Sequence, residues 1–231
     1  LVSPLSVFSY TIGGVIEEVT FADDAMEAAV RLHLGVDENV TLYTNDLWDL
    51  SYFTVPSDAK DVSDLRHMIF VEDLAIDSIP SGQLGYLSNL VNLVSLQIRN
   101  TAVSTEDLKI IGALPNLQHL TLSGCGLSTA AGLETATSIT HLDLSQNTIR
   151  DLTPVKSMSG LQELILHHNA VNDLTALSGM TSLKNLDVSY NLLGSINPIF
   201  NCSTTTSLNV ANNTLTSLTG IEKLSSLEML T

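Results

Sequence analysis

The chain has 231 residues, of which 44% are hydrophobic, and it carries 25 Asp and Glu against nine Lys and Arg. This length and apolar content suffice for a substantial core. The formal net charge of -16 opposes binding to phosphate backbones and anionic membrane surfaces, so we expect no nucleic-acid partner.

The chain carries no sign of a membrane-spanning segment. No apolar run reaches the roughly 18 to 20 residues that such a helix needs. The first residues, LVSPLSVF, lack the Met and the basic segment of a signal peptide. We therefore expect no transmembrane segment, and we interpret the chain as a mature or trimmed form from which a signal peptide has been removed.

Two segments precede the regular part of the sequence. Residues 1–20 are rich in Val, Ile, Tyr and Thr around a Gly-Gly pair, which predicts a strand or hairpin extension. Residues 21–49 contain a helix-prone stretch and are predicted to form a helical cap. The acidic residues are concentrated in the N-terminal part of the chain: residues 1–80 hold 15 Asp and Glu against three Lys and Arg.

The predicted cap helix has a start signal and a stop signal. Asp24, followed three residues later by Glu27, can form a capping box, and Gly35 ends the helix-prone residues 25–34. A repeat array must cover the apolar end of its first unit. We expect this helix to do so.

From residue 50 to residue 231 the sequence repeats at a period of 22 residues, which predicts a repeat architecture. A weaker unit near Leu50 precedes the clear ones, and the last unit is incomplete, so we expect about seven to eight repeats. One interval, between Leu93 and Leu117, is 24 residues long. The clear units start at Val71, Leu93, Leu117, Ile139, Leu161, Leu183, Thr205 and Leu227.

Each unit begins with a predicted strand. The fourth and sixth positions are apolar, as in Leu142 and Leu144, and this alternation indicates a short strand with one buried face. The ninth position is Asn in four successive units, where a buried amide can satisfy backbone groups freed by the turn. Cys125 takes that place in its own unit. The four asparagines are Asn147, Asn169, Asn191 and Asn213.

After the turn, apolar residues recur at every third position. A period of 3.0 favours extended or 3₁₀-like backbone over full α-helix on the outer side. The longer unit is different, because Ser104 or Thr105 can cap one true helical turn. Cys125 and Cys202 lie three repeats apart, too far to form a disulfide, so we expect free thiols.

The pattern LxxLxLxxNxIxxLxxLxxL resembles the leucine-rich repeat family. The 22-residue length resembles both the bacterial internalins and a eukaryotic cytosolic type that regulates phosphatases. The segment FADDAMEAAVRLHLG, followed by Thr44, Asp46, Leu47 and Leu50, resembles the internalin cap. The resemblance implies a right-handed α/β-repeat solenoid with a parallel sheet on its concave face, 3₁₀ or extended segments on its convex face and an N-terminal helical cap.

The third, fifth and seventh positions of each unit are predicted to point away from the core, in columns spaced about 4.8 Å apart. A concave ligand would contact these columns, and Tyr190 lies at their edge, one position on. His167 is predicted to lie on the exposed face and His168 one step on, at the strand edge, so the doublet is not expected to point into one site. The candidate ligand-binding residues are Arg99, His119, His141, Asp143, Glu163, His167, Asp187 and Tyr190.

His119, His141 and Glu163 in consecutive units are ligand types that zinc accepts. A column of parallel strands does not converge on one point, so this is a weak metal candidate and we assign no metal or cofactor. Ser123 and Ser145 stand near histidines, but no strained elbow or oxyanion loop accompanies them. We therefore predict no enzymatic activity. Asp77 and Arg99 are predicted to form a surface ion pair.

The resemblance implies a non-enzymatic module that binds a protein or glycan through its concave sheet. It also implies a bacterial cell-surface or secreted protein, with a role in adhesion or host interaction. The alternative is an intracellular scaffold of the 22-residue type that regulates an enzyme such as a phosphatase.

Overall fold

The computed structural model describes residues 16–231. Most of the predicted N-terminal extension, residues 1–15, therefore lies outside the described residues. The remaining part of it pairs with the chain ahead of the repeats: Glu18 forms an antiparallel bridge with Tyr43, and the backbone N–H of Val19 donates to the carbonyl of Leu42 at 2.8 Å.

One parallel sheet of nine strands organises the described chain, and its spatial order is the order along the sequence. Neighbouring strands pair between equivalent repeat positions, so that Leu142 of one strand faces Leu120 before it and Leu164 after it. Each unit position therefore forms a column across the sheet. The strands are β1 (Tyr52–Thr54), β2 (Asp73–Asp77), β3 (Ser95–Arg99), β4 (His119–Ser123), β5 (His141–Asp143), β6 (Glu163–Ile165), β7 (Asn185–Asp187), β8 (Ser207–Asn209) and β9 (Met229–Leu230).

The predicted solenoid with its parallel sheet is confirmed, and the weak first unit is a full member of it. Phe53 and Val55 of that unit are buried, and β1 pairs with β2 in the same register as all later strands. Apolar side chains at the fourth and sixth positions point into one continuous core. Their burial removes most of the apolar surface of the strands from water, and it stabilises the fold by roughly 25 cal/mol for each Å² that is buried.

In four successive repeats the ninth-position amide ties the repeat to the one before it. Asn191 shows the pattern: its Oδ1 accepts from the N–H of Val171 at 2.9 Å, and its Nδ2 donates to the carbonyl of Leu166 at 2.9 Å. The same two kinds of contact, 20 and 25 residues back, recur at the other three asparagines. These amides satisfy buried backbone groups that no strand partner reaches.

The outer side consists of 3₁₀ turns and one helix, as the spacing predicts. The helix α2 (Thr105–Gly112) occupies the longer unit and has two turns rather than one, because Asp107 completes a capping box with Ser104. It packs closely on the next repeat, where a Cβ at Gly132 would lie 2.8 Å from Leu108 Cβ. The 3₁₀ turns are Thr44–Leu47, Ser63–His67, Leu84–Asn89, Thr153–Val155, Thr175–Leu177, Asn197–Asn201 and Ile221–Lys223.

The helix α1 (Asp24–Leu34) buries Met26 and Val30 in the core and ends at Gly35, whose φ is 67°. Its N-cap is Asp23 and not Asp24, so the predicted capping box was placed one residue too late. The Asp23 carboxylate accepts from the backbone N–H groups of two helix residues, and also from those of Lys60 and Asp61. It therefore joins the helix to the loop after β1.

A second carboxylate strengthens this junction. Asp64 is fully buried, and it accepts from the N–H of Ala22 at 2.9 Å and from the N–H of Asp23 at 3.1 Å. Two acidic side chains thus hold the start of α1 against the first repeats through charge-assisted hydrogen bonds. Part of the high acidity of this region is structural.

The amide contacts between repeats predict a large cost for losing one of them. Asn191→Ala leaves the buried N–H of Val171 and the carbonyl of Leu166 without partners, and we expect the free energy of unfolding to fall by about 3 kcal/mol. Urea denaturation measures this loss. Asn172→Ala, at an exposed position nearby, is the control and should change stability by less than about 0.5 kcal/mol. A similar effect of both substitutions would contradict the role of the buried amide.

The cap of α1 predicts a pH-dependent contribution to stability. Burial tends to raise the pKa of Asp23, but backbone hydrogen bonds from Lys60, Met26, Asp61 and Ala25 outweigh it and hold the pKa below its ordinary value of 3.8. A lowered folded-state pKa stabilises the fold above about pH 4 and loses this effect as the pH falls further.

Asp23→Ala should therefore lower the free energy of unfolding by about 1 to 2 kcal/mol at pH 7, and by less at pH 3. Chemical denaturation at the two pH values measures the difference. Asp24→Ala is the matched control because Asp24 is exposed, and a loss larger at Asp24 than at Asp23 would contradict the observed cap.

Candidate binding surface on the concave sheet

The third-position column brings two histidines and a glutamate together on the exposed side of β4, β5 and β6. The rings of His119 and His141 stack with their centroids 4.4 Å apart and 20° between their planes. Nδ1 of His141 lies 2.9 Å from Oγ1 of Thr140, and its Nε2 lies 4.0 Å from Oε2 of Glu163. Together with Gln97 and neighbouring residues, they line an open depression of about 250 Å³.

This arrangement does not form a metal centre. Two nearly parallel imidazole planes direct their nitrogen lone pairs along separate planes and not towards one point. Within residues 16–231, no group of three or more His, Cys, Asp or Glu side chains is placed to hold a metal ion. His119, His141 and Glu163 form instead a polar patch that is open to solvent and has hydrogen-bonding capacity to offer a ligand.

The fifth-position column adds two carboxylates with fixed orientations. Asp187 accepts from the N–H and the hydroxyl of Ser189 through Oδ1, and from Nδ2 of Asn209 through Oδ2 at 3.0 Å. Asp143 accepts from the N–H of Ser145 at 2.8 Å. These contacts keep both negative charges on the concave side of the sheet, where a ligand would meet them.

The seventh-position column is less exposed than predicted. Ser145 and Ser189 are buried, because β5 and β7 end two residues earlier and the chain begins to turn inward at these positions. The hydroxyls of Ser123 and Ser145 lie 2.9 Å apart. Among the described residues neither of these two hydroxyls is hydrogen-bonded to a histidine, so the histidine base that a serine nucleophile needs is not in place beside Ser123 or Ser145.

The predicted ion pair between Asp77 and Arg99 is wrong. The two residues face each other in the register of β2 and β3, but no contact within 4.0 Å joins their charged groups in the described part of the chain. Asp77 accepts instead from Nδ2 of Asn100 and from the hydroxyl of Ser78, and these hydrogen bonds, with a smaller contribution from the charge of Arg99, lower the pKa of its carboxyl. Arg99 thus remains available on the exposed end of β3.

The eighth position of every repeat from β2 to β8 has left-handed backbone, a feature that the sequence analysis missed. Gly and Asn, which favour this conformation, are present in three of the seven repeats and were the available signal. The other four carry larger or less tolerant residues. The seven φ angles, between 50° and 66°, belong to Ser78, Asn100, Gly124, Gln146, His168, Tyr190 and Asn212.

The histidine doublet and Tyr190 form a continuous group at this edge. Nδ1 of His167 lies 3.1 Å from Nδ1 of His168, so the two rings contact each other although they occupy different positions of the repeat. His168 then stacks on Tyr190 with the ring centroids 4.1 Å apart and 12° between the planes. The left-handed backbone at His168 and Tyr190 places the two rings next to each other, just beyond the C-terminal ends of β6 and β7.

Both cysteines are free and buried, as the repeat spacing predicts. Sγ of Cys125 donates to the carbonyl of Ile98 at 3.3 Å, and burial raises the pKa of the Cys125 thiol to about 11. Burial also raises the pKa of Cys202. Neither thiol is placed to react with a substrate. Among residues 16–231, no helix has the length and apolar character that crossing a bilayer requires.

Solved structures with the same architecture include proteins of two bacterial genera. Internalin C2 of Listeria monocytogenes superimposes with a TM-score of 0.84, at 21% identity, over 91% of this chain and 93% of that chain. Internalin F of the same organism matches with a TM-score of 0.72, at 23% identity, over 91% of this chain and 68% of that one. The fold is that of an internalin-like leucine-rich-repeat solenoid.

A leucine-rich-repeat protein of Leptospira interrogans is also similar, with a TM-score of 0.70 at 22% identity, and 80% of this chain covers 49% of that protein. No protein-family model matches the sequence, and no curated protein matches it either. At these identities the likeness concerns the solenoid fold.

The internalin-like solenoid should protect both thiols. At pH 8 we expect neither Cys125 nor Cys202 to react with Ellman's reagent in the folded protein during the time in which both react in urea, because the thiols are buried and protonated. Absorbance of the released thiolate counts the reacted groups. A Cys202→Ala variant assigns any residual signal, and rapid modification of Cys125 in the folded state would contradict its packing.

Proposed function

We propose that this solenoid is a non-enzymatic binding module that engages a protein partner through its concave sheet. The observation that carries the proposal is the column His119, His141 and Glu163, with Asp143 beside it, in an open depression on a continuous parallel sheet. An extended, rigid and polar surface of this kind matches a partner that spans several repeats better than it matches a small substrate.

Charge supports a partner with basic groups. The concave columns from β4 to β9 carry Asp143, Glu163 and Asp187, and no Lys or Arg stands at a third, fifth or seventh position there. The chain as a whole has a formal net charge of -16. Long-range attraction of this sign accelerates the encounter with a basic protein surface and disfavours an acidic one.

We further propose that the module belongs to a bacterial cell-surface or secreted protein and acts in adhesion or host interaction. This part rests on the likeness to the internalins. The alternative is an intracellular scaffold that regulates an enzyme such as a phosphatase. A signal sequence on the full gene product would exclude the scaffold, because an exported protein does not meet a cytosolic enzyme.

Binding of the tagged chain to epithelial cells, beside immobilised mucin as the glycan-rich surface, tests the concave site. One variant changes His119, His141, Asp143, Glu163 and His167 to alanine. We expect the variant to melt cooperatively and to lose at least tenfold in cell binding. Binding to mucin that depends on the same residues, without cell-protein binding, would show a glycan ligand in place of a protein.

The matched control is Lys156→Ala with Asn172→Ala, two exposed positions on the outer side of the repeats. It should bind as the unmodified chain does. Equal loss in both variants, or equal binding by both, would contradict a concave site. The loss has to be read together with the melting curve, since an unfolded variant would lose binding for a different reason.

A further inference from the structure

Where β6 and β7 end, two rings of the eighth position, which the concave columns do not include, group with one ring of the seventh-position column. We call His167, His168 and Tyr190 the edge platform. His168 and Tyr190 are stacked at 4.1 Å, and the ring of His167 meets that of His168 edge-on at 5.2 Å. Tyr190 nevertheless remains 50% exposed. One part of its surface is therefore supported by His168 while another part is open to a ligand.

The left-handed backbone under the platform does not itself favour aromatic side chains. His168 and Tyr190 have φ angles of 55° and 54°, a region in which a side chain with a Cβ costs conformational energy that Gly avoids and Asn reduces. Other repeats of the same solenoid use those cheaper residues at the equivalent position, as at Gly124 and Asn212. Strained positions that keep costly side chains are commonly functional.

The surroundings of the platform favour a cation. A flat aromatic face attracts Lys and Arg side chains, and Tyr is among the better faces for this contact. Asp187 lies three residues before Tyr190 on the same repeat, and Asp143 and Glu163 lie on the two preceding strands. A guanidinium group gains from contact with the ring and from the long-range attraction of these carboxylates, whereas a neutral sugar would gain only from the ring.

We propose that the edge platform binds an arginine side chain of the protein partner, with the guanidinium plane stacked on the open part of Tyr190. The partner chain then continues across the concave sheet, where its other basic groups face Asp143, Glu163 and Asp187. This proposal rests on the proposed concave function and adds to it a fixed anchor point and a residue type. His168 acts as a positioning residue that holds the orientation of the Tyr190 ring.

The probe is a short synthetic peptide with two arginines separated by Gly and Ser. A matched peptide carries citrulline, which is neutral and has nearly the same shape, at both arginines. Titration of the full chain, followed by the NMR shifts of the Tyr190 ring and by calorimetry, gives the affinity. We expect the arginine peptide to shift the Tyr190 ring resonances and the citrulline peptide to bind at least fivefold more weakly. Added salt should weaken the binding of the arginine peptide.

Three variants separate binding from stability. Tyr190→Asn should weaken the binding of the arginine peptide about fivefold. The melting temperature of this variant should be no lower than that of the unmodified chain, because Asn tolerates the left-handed backbone. Tyr190→Phe keeps the ring and should retain the affinity. Gln146→Asn, at the same position two repeats earlier, should raise the melting temperature without changing the affinity.

Several results would overturn the anchor. A marked fall in the melting temperature of Tyr190→Asn would make the stack structural. Equal binding of the arginine and citrulline peptides would show that the positive charge does not contribute to binding. Tyr190-dependent binding of a neutral oligosaccharide, with no response to the arginine peptide, would make the platform a sugar site.

The concave proposal fails separately from the anchor. If changing Asp143 and Glu163 to alanine abolishes peptide binding while Tyr190→Asn does not alter it, the concave site stands and the anchor is wrong. If neither change affects the binding of the peptide or of cells, both proposals are wrong.

Discussion

The hydrogen bonds between each repeat and the one before it are the interaction on which the rest of this structure depends. A single repeat has a strand with unpaired edges and a turn with buried polar groups, and it cannot satisfy either alone. Strand pairing satisfies the first, and the ninth-position amide satisfies the second. At Asn147, for example, one side chain accepts from two N–H groups of the preceding repeat and donates to its carbonyl at Leu122. The repeats therefore stack in one register.

Because the register is constant, stability and recognition are assigned to different positions of the same strand. Leu142 points into the core, while its neighbours His141 and Asp143 point outward. Side chains of the outward columns can change without altering the packing of the inward ones. The eighth position belongs to a third class, since its left-handed backbone is imposed by the turn while its side chain is exposed. It is at this position that the solenoid carries Tyr190.

The repeat period allowed much of this to be predicted. The strands, the 3₁₀ turns, α2 and the free thiols all follow from residue spacing, which is a property of the whole unit. The errors lie where a single residue or a side-chain contact decides. The choice between Asp23 and Asp24 as N-cap depends on the N–H groups of Lys60 and Asp61, far along the sequence. Local sequence does not contain that contact.

The candidate site shows the same division. Column membership correctly placed His119, His141 and Glu163 on adjacent strands, but it could not show that the two rings stack instead of facing a shared point. The periodicity of two also continued β5 and β7 two residues too far, so that Ser145 and Ser189 were expected on the surface although the chain had begun to turn. The left-handed column was visible only as an excess of Asn and Gly.

Carboxylate footprinting on the intact protein tests the central claim, that a partner lies across the concave sheet, most directly. The folded chain is labelled with a carbodiimide and an amine, free and bound to epithelial-cell membranes, and mass spectrometry gives the labelling of each carboxylate. The account predicts that binding protects Asp143, Glu163 and Asp187, while Asp151 and Asp173 on the outer side are labelled as before. Protection of Asp151 and Asp173, with unchanged labelling of the concave carboxylates, would contradict it.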